Sequence, residues 1–181
     1  MELIENKVYR YGYDNGKYGA EAKYALKAGG VLVLNLYGSN HWRDWLDDIT
    51  FLRMKTVRNK LKCHRAWYYY AFRMYRFILH ELMPENGIFS LEIVGHSMGG
   101  AVGAILQQMF TYKFIATKCT TYGSPRPFNC KVDTPKAYIN SGDLVPFLPP
   151  WRPKCGTIYK SNKFIFPFWK AHFKYKMENW L

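Results

Sequence analysis

The sequence lacks the features that mark several large protein classes. No apolar run approaches the length that spans a bilayer, and residues 1–10, MELIENKVYR, have neither the basic start nor the following apolar stretch of a secretory signal. The four cysteines stand far apart without a C-x-x-C pair, so the common zinc and redox motifs are missing and free thiols are expected. No internal repeat is present. We therefore expect an intracellular protein, either soluble or peripherally bound to a membrane.

Acidic residues are also scarce, and unevenly so. The 181 residues hold 26 Lys and Arg against 13 Asp and Glu, a formal net charge of +13. Residues 51–80 carry eight basic side chains and no acidic one, and residues 101–181 carry twelve against three. The electric field of a strongly basic protein attracts nucleic acid or anionic lipid. A basic surface that only keeps the protein soluble explains the charge equally well. No nucleic-acid-binding module is recognisable, so we expect no specific nucleic-acid partner.

The composition predicts one folded domain over residues 1–181. Hydrophobic residues make up 49% of the chain and aromatic residues 18%, which excludes a disordered chain. Apolar runs predict buried strands, and longer segments rich in helix-forming residues predict helices. In chain order these are a strand at 31–37, a helix at 63–83 ended by Pro84 and Asn86-Gly87, a strand at 88–95, a helix at 98–110, and strands at 118–123 and 136–140. This alternation predicts an α/β fold with a mainly parallel central sheet flanked by helices.

The N-terminal segment has two open interpretations. Residues 7–24 alternate tyrosines with polar residues around Asn15-Gly16, which predicts a hairpin. Residues 20–28 are equally compatible with a short helix that ends at Gly29.

Residues 91–101, LEIVGHSMGGA, place one serine at a glycine-rich corner between a predicted strand and a predicted helix. Gly95, Ser97 and Gly99 form the pattern G-x-S-x-G in that setting. The glycines permit a sharp turn that raises the serine hydroxyl above the carboxyl end of the strand. The helix that begins at Met98 directs its first N–H groups to the place where an oxyanion would form. An ordinary glycine turn is the alternative, and the strand-turn-helix setting favours a nucleophile.

A nucleophilic serine requires a histidine base and an acid that orients it. In α/β-hydrolase-like sheets the acid and then the histidine follow the serine. His96 stands directly before the serine, and His172 is the one histidine that follows it. Elimination therefore selects His172 as the base. Three acids lie downstream, Asp133, Asp143 and Glu178. Asp143 directly follows a predicted strand, where an orienting carboxylate is expected, whereas Asp133 precedes that strand in a polar turn and is expected to be solvated.

Four motifs in one order resemble those of the class 3 lipases. They are LYGSNHWRDWLDDITF at 36–51, GHSMGG at 95–100, TYGSPRPFN at 121–129 and NSGDLVPFLPP at 140–150. The resemblance extends over roughly residues 31–177. It implies an α/β-hydrolase fold, here of reduced size, and cleavage of lipid acyl esters as in triacylglycerol lipases and phospholipases A1. Two positions differ, because Tyr37 stands where the family has arginine and Phe128 where it has glycine.

The resemblance assigns a role to each residue of the predicted site. Ser97 is the nucleophile, Asp143 the orienting acid and His172 the general base. Ser39 and the Met98 N–H are the two donors of the oxyanion hole. This chemistry needs no metal and no organic cofactor. The implied substrate is a lipid ester.

Residues 42–49 predict one apolar helical face directly after the oxyanion serine. The face consists of Trp42, Trp45, Leu46 and Ile49. A helix packed on the core gives this pattern, and so does an amphipathic lid that turns its tryptophans to lipid; the similarity to the family's lid position favours the lid. The aromatic residues of 164–173 likewise permit two interpretations, core side chains or a wall of the acyl site beside His172.

These observations together predict a serine hydrolase that works at a membrane or lipid interface. The alternative is a catalytically inactive lipid-surface or scaffold protein on the same fold, against which the intact Ser97, Asp143 and His172 argue. The basic run from Arg53 to Arg65 follows the predicted lid and makes an anionic membrane a candidate partner. If that run faces the site, phospholipid is favoured over triglyceride as the substrate.

Overall fold

Seven strands form one mixed sheet in the part of the chain that the computed structural model describes, residues 7–12, 19–38, 54–58, 61–113 and 115–175. The strands of this sheet are β1 (Lys7–Gly12), β2 (Gly19–Lys27), β3 (Val31–Leu36), β6 (Ser90–His96), β7 (Ala116–Tyr122), β8 (Val132–Ser141) and β9 (Cys155–Phe164). Between β3 and β6 the chain forms a separate hairpin of β4 (Met54–Arg58) and β5 (Leu61–His64).

Helices alternate with the strands between β5 and β7. They are α1 (Arg65–Phe77), which continues through a π-helical turn (Ile78–Leu82) into α2 (Met83–Asn86), then α3 (Met98–Tyr112), a 3-10 turn (Val145–Phe147) and α4 (Phe168–Phe173). Among the described residues, no helix has both the length and the apolar character to cross a bilayer.

The sheet is parallel throughout its larger part. Its order is β1-β2-β3-β6-β7-β8-β9, and only the pairs β1–β2 and β2–β3 are antiparallel. Helix α3 packs on one face, where a Cβ on Gly103 would lie 3.5 Å from Cys119 Sγ of β7. Tyr122 points to the opposite face by the alternation of strand residues, and its ring contacts Tyr175 just after α4. The predicted α/β fold is therefore confirmed, and the carboxyl ends of the parallel strands meet at one edge.

The N-terminal segment is a hairpin and not a helix. Strand β1 pairs antiparallel with β2 from Lys7 opposite Tyr24 to Gly12 opposite Gly19. The alternative helix from Ala20 to Ala28 is wrong, because β2 also pairs with β3 along its length and so satisfies its backbone groups in the sheet.

The predicted helix at 63–83 begins two residues later and continues beyond Pro84. A proline inside a helix loses one N–H donor and its ring crowds the carbonyl four residues earlier. Here the wider π-helical turn ends at Leu82, and Pro84 occupies the first turn of α2, which begins at Met83. The helix ends at Gly87, whose φ of 57° suits the left-handed cap.

The core lies between the sheet and the two long helices α1 and α3. Its largest fully buried side chains are Trp67, Phe110, Phe128, Leu32, Leu34, Leu36, Met74, Ile78, Leu91, Ile93 and Ile105. Phe128, at a position where the family has glycine, forms a backbone bridge with Cys63 of β5. The larger residue thus becomes part of the contact that joins the β4–β5 hairpin to the core. The four cysteines, Cys63, Cys119, Cys130 and Cys155, are free thiols.

Candidate active site

Ser97 occupies a strained turn between the end of β6 and the start of α3. Its φ is 55°, and within the described residues no other non-glycine residue has a positive φ. Such a conformation costs conformational energy and is concentrated at functional sites. Gly99 allows the start of α3 to lie against the end of β3, because a Cβ on Gly99 would overlap the carbonyl of Leu36 and come within 2.9 Å of the Tyr37 carbonyl carbon. The sequence pattern thus yields the sharp elbow that it predicts.

His172 of α4 links the serine to an acid. Its Nε2 lies 2.9 Å from Ser97 Oγ, and its Nδ1 lies 3.0 Å from Asp143 Oδ2. A carboxylate only accepts hydrogen bonds, so Nδ1 carries the proton and, in the neutral ring, Nε2 is left to accept the serine proton. The predicted Ser97, His172 and Asp143 therefore lie in one continuous hydrogen-bonded chain, in the order that nucleophilic catalysis requires.

Asp143 lies buried in the turn that follows β8. It is 1% exposed, and the preceding Gly142 makes the turn with a φ of 101°. The Val145 N–H donates to Asp143 Oδ1 over 2.9 Å, and the Tyr175 hydroxyl donates to Oδ2 over 2.5 Å. With His172 Nδ1, three donors face this carboxylate and hold it in the position from which it orients the imidazole.

Tyr175 is a member of the site that sequence reasoning missed. Burial and the neighbouring Asp143 carboxylate raise the pKa of Tyr175, so its hydroxyl stays protonated and remains a donor. The same oxygen accepts the backbone N–H of Asn140 over 3.1 Å. The one signal in the sequence is the spacing, because Tyr175 follows His172 by three residues, about one helical turn. We infer that Tyr175 positions Asp143.

Replacing Tyr175 with phenylalanine tests this positioning role. The ring stays in place, while Asp143 loses one of its three donors and Asn140 loses an acceptor. We expect the free energy of unfolding to fall by about 1.5–3 kcal/mol, the range for hydrogen bonds to charged groups. We also expect kcat on a dissolved short-chain ester to fall by about tenfold with KM unchanged, because the imidazole is oriented less firmly. Unfolding curves and steady-state kinetics measure the two effects.

The matched control is Tyr138→Phe, which removes a hydroxyl from the tyrosine that stacks on Tyr122. This variant should keep kcat. A Tyr175→Phe chain that loses stability but keeps kcat would assign Tyr175 a structural role only.

His96 supports helix α4, which carries His172, through a hydrogen bond to its backbone. Its Nε2 lies 2.8 Å from the backbone oxygen of His172, and since that oxygen only accepts, His96 Nε2 is the donor. Burial and, to a smaller extent, the charge of the nearby His172 lower the pKa of His96 to about 4. His96 is therefore neutral near pH 7 and supports α4 without competing for the serine proton.

Part of the predicted oxyanion hole lies outside the described residues. Ser39 falls there, as do the predicted lid residues Trp42, Trp45, Leu46 and Ile49. The residue before Ser39 is described: a Cβ on Gly38 would lie 3.2 Å from Ser97 Cβ and 3.6 Å from the Met98 nitrogen. The Met98 N–H is the first of α3 and so has no acceptor within the helix. The carboxyl end of β3 thus leads directly to the elbow.

Of the two other downstream acids, Asp133 is described by the structure and takes no part in the hydrogen-bonded chain. Asp133 lies inside β8, which begins earlier than predicted, and its exposed carboxylate is 3.5 Å from Lys131 Nζ. Glu178 lies outside the described residues. In the part of the chain that is described, no group of three His, Cys, Asp or Glu side chains is arranged to hold a metal ion.

The aromatic residues of 164–173 are not core residues. Phe164, Phe166 and Phe173 are 69%, 80% and 69% exposed. The core interpretation is wrong because α4 is short and turns only Ala171 and His172 inward. Phe164 and Phe166 precede α4, and the ring of Phe173 at its end is centred 5.3 Å from the ring of His172.

A mainly parallel sheet that carries a serine on a strand-to-helix elbow is the architecture of the α/β-hydrolases. Within that class, the sequence model of the family lipase (class 3) matches residues 33–152. This range is more than half of the sequence, and the chain belongs to the class 3 lipase family. The matched range contains Ser97 and Asp143 and ends before His172, so the geometry of α4 is the main support for His172.

Several solved structures from fungi are similar to this chain. The MDLA protein of Penicillium cyclopium, in a mutant form, has 20% identity and a TM-score of 0.69, with 88% of this chain and 64% of that chain covered. A lipase from Rhizopus microsporus var. chinensis has 16% identity and a TM-score of 0.60, with coverages of 82% and 56%. A mono- and diacylglycerol lipase from Aspergillus oryzae has 22% identity and a TM-score of 0.60, with coverages of 77% and 56%.

These likenesses confirm the fold. The chain spans less than two thirds of the length of each of the three structures. A comparison with curated protein sequences gave no match.

Proposed function

We propose that the chain is a serine carboxylic-ester hydrolase that cleaves acyl esters of lipids. The observation that carries this proposal is the hydrogen-bonded chain from Ser97 Oγ through His172 to Asp143, with contacts of 2.9 and 3.0 Å. Membership of the class 3 lipase family supports a lipid ester as the substrate. The strained serine argues against an inactive scaffold, because a protein that does not use its hydroxyl gains nothing from a φ of 55°.

In the proposed reaction, His172 accepts a proton and then donates it in each of the two half-reactions, acylation and deacylation. Ser97 Oγ attacks the ester carbonyl while its proton moves to His172 Nε2, and Asp143 stabilises the resulting imidazolium. The oxyanion accepts the Met98 N–H and, in the sequence-based assignment, a donor from Ser39. His172 then returns the proton to the leaving alcohol and an acyl-enzyme remains. Water, deprotonated by His172, releases the fatty acid and restores the serine.

The charge of the chain favours phospholipid over triglyceride within this class. A triglyceride droplet offers little charge, whereas the anionic surface of a bilayer attracts nearby basic residues. Three basic residues of the run from Arg53 to Arg65 are exposed in the described part of the chain: Lys55, Lys62 and Arg65. We therefore propose a phospholipase-type preference, with cleavage at a lipid surface.

Burst kinetics with a chromogenic short-chain ester test the hydrolase proposal. Rapid release of one equivalent of alcohol per chain, followed by slower turnover, is expected if an acyl-enzyme forms. A parallel panel of micellar triglyceride, phospholipid vesicles and dissolved short-chain ester, with products identified by position, tests the substrate class. A well-folded chain that releases neither alcohol nor fatty acid from any of the three substrates would contradict the proposal. Brisk triglyceride cleavage without phospholipid cleavage would contradict the phospholipid preference alone.

A further inference from the structure

The segment from Lys163 to Lys174 displays an unusual number of aromatic side chains to solvent. We call it the aromatic–lysine rim. Its five rings are exposed by between 46% and 80%, and they belong to Phe164, Phe166, Phe168, Trp169 and Phe173. Isolated exposed rings are common in proteins, but a group of five within eleven residues is typical of an interaction surface.

Three lysines lie among the rings of the rim. Lys163, Lys170 and Lys174 are all exposed. The sequence has no Asp or Glu between Asp143 and Glu178, so these charges face no acidic neighbour along the segment. Aromatic rings with lysines between them are the composition that binds the boundary between headgroups and acyl chains of anionic membranes.

The rim lies at the mouth of the candidate active site. The ring of Phe173 is centred 5.3 Å from the ring of His172 and 6.3 Å from the ring of His96. At the other end of the rim, the Phe164 ring lies next to Gly142, the residue before Asp143. A surface that binds the rim is therefore held beside the hydroxyl of Ser97.

We propose that the aromatic–lysine rim is a docking surface for an anionic phospholipid bilayer. The rings enter the interface and the lysines bind the anionic headgroups. A second copy of the chain fits the rim poorly, since each copy carries a net charge of +13 and would bring the same lysines together. A neutral droplet leaves the lysines without counter-charge. The biological purpose of this docking rests on the proposed function, but the binding itself is measured independently of it.

Vesicle flotation of the full chain with Ser97→Ala tests the rim without consuming the lipid. The vesicles are phosphatidylcholine alone or with 30% phosphatidylserine, each at low and at high salt. We expect strong binding to the anionic vesicles only, and weaker binding in high salt because exposed charges are screened. Phe164→Ser with Phe166→Ser, and separately Lys163→Glu with Lys170→Glu, should each weaken that binding by about tenfold or more.

Matched controls change equivalent residues elsewhere on the surface. Phe89→Ser removes a ring that is 63% exposed just before β6, at the opposite end of the sheet. Lys113→Glu with Lys136→Glu reverses two exposed charges outside the rim. Both controls should bind anionic vesicles within about twofold of the parent chain, since neither touches the proposed surface.

Several outcomes would overturn the rim as a membrane surface. These are equal binding to neutral and anionic vesicles, rim variants that bind like the controls, or a dimer in sedimentation equilibrium that the rim variants dissociate. Turnover of a dissolved short-chain ester, measured in chains that keep Ser97, separates this proposal from the proposed function. Rim variants that retain this turnover but lose vesicle binding support the rim, whereas absent turnover in the parent chain contradicts the proposed function and leaves the binding result valid.

Discussion

Replacing Ser97 with alanine is expected to abolish covalent labelling by a fluorophosphonate and to lower ester hydrolysis by about 10⁴-fold or more. The hydroxyl is the one group in the site that forms the acyl-enzyme, so no neighbouring side chain can replace it. Alanine has a smaller side chain at the same strained φ, and we expect the fold and the unfolding transition to be preserved. In-gel fluorescence, ester turnover and thermal unfolding measure the three properties.

Ser90→Ala is the matched control for this experiment. Ser90 begins β6, the strand that ends directly before Ser97, and so lies at the far end of the same element. The control chain should be labelled and should hydrolyse esters like the parent. Continued labelling and turnover of a folded Ser97→Ala chain would refute the elbow as the site of nucleophilic attack.

Replacing His172 with alanine is expected to lower turnover by about 10³-fold or more, as losses from Ser–His–Asp sites do. Without the imidazole, no group removes the proton from Ser97 Oγ or passes it to the leaving alcohol. The residual rate comes from substrate binding and from the oxyanion donors alone. Stopped-flow measurement with the chromogenic ester should find the burst lost, because acylation becomes slower than the later steps.

His96→Ala is the control that discriminates between two histidines whose rings lie 4.8 Å apart. We expect it to keep turnover within about tenfold and to lose stability, since it removes the hydrogen bond from Nε2 to the His172 carbonyl. A large catalytic loss in a well-folded His96→Ala chain, with His172→Ala nearly normal, would reverse the assignment of the base.

His96 makes the free energy of unfolding depend on pH in a specific range. The pKa of His96 is lowered to about 4 in the folded chain, against about 6.5 when the chain is unfolded. Between these values the unfolded chain binds a proton that the folded chain does not. Stability is therefore lost as the pH falls from about 6.5 to about 4, and this part of the pH dependence should be missing in His96→Ala.

Local patterns were sufficient for the residues that lie in motifs. The elbow could be predicted because the conformation of Ser97 depends on the glycines beside it and on the strand and helix that flank it. Asp143 could be predicted because an orienting acid follows a strand end. His172 could be predicted only by eliminating the other histidines. Its position depends on how α4 packs on β8, and no residue near it in the sequence indicates that contact.

Residues whose roles depend on distant contacts could not be predicted in the same way. Tyr175 reaches Asp143 across 32 positions of the sequence. Strand β9 was missed because it is an edge strand with many exposed polar residues, so it lacks the apolar run of a central strand. The exposure of the 164–173 rings depends on the side of α4 that packs inward, and a six-residue helix is too short for a clear apolar period.

The attachment of α4 separates the stability of the active site from that of the core. The serine stands between β6 and α3, in the middle of the sheet, whereas the histidine stands on a helix of six residues. That helix is held by contacts such as the hydrogen bond from Asn140 Nδ2 to the Ala171 carbonyl, and it buries few side chains of its own. Segments with little buried surface open at lower free energy than the rest of a protein. Inactivation by mild heat or denaturant would then be a local and reversible undocking of the general base, complete before the sheet begins to melt.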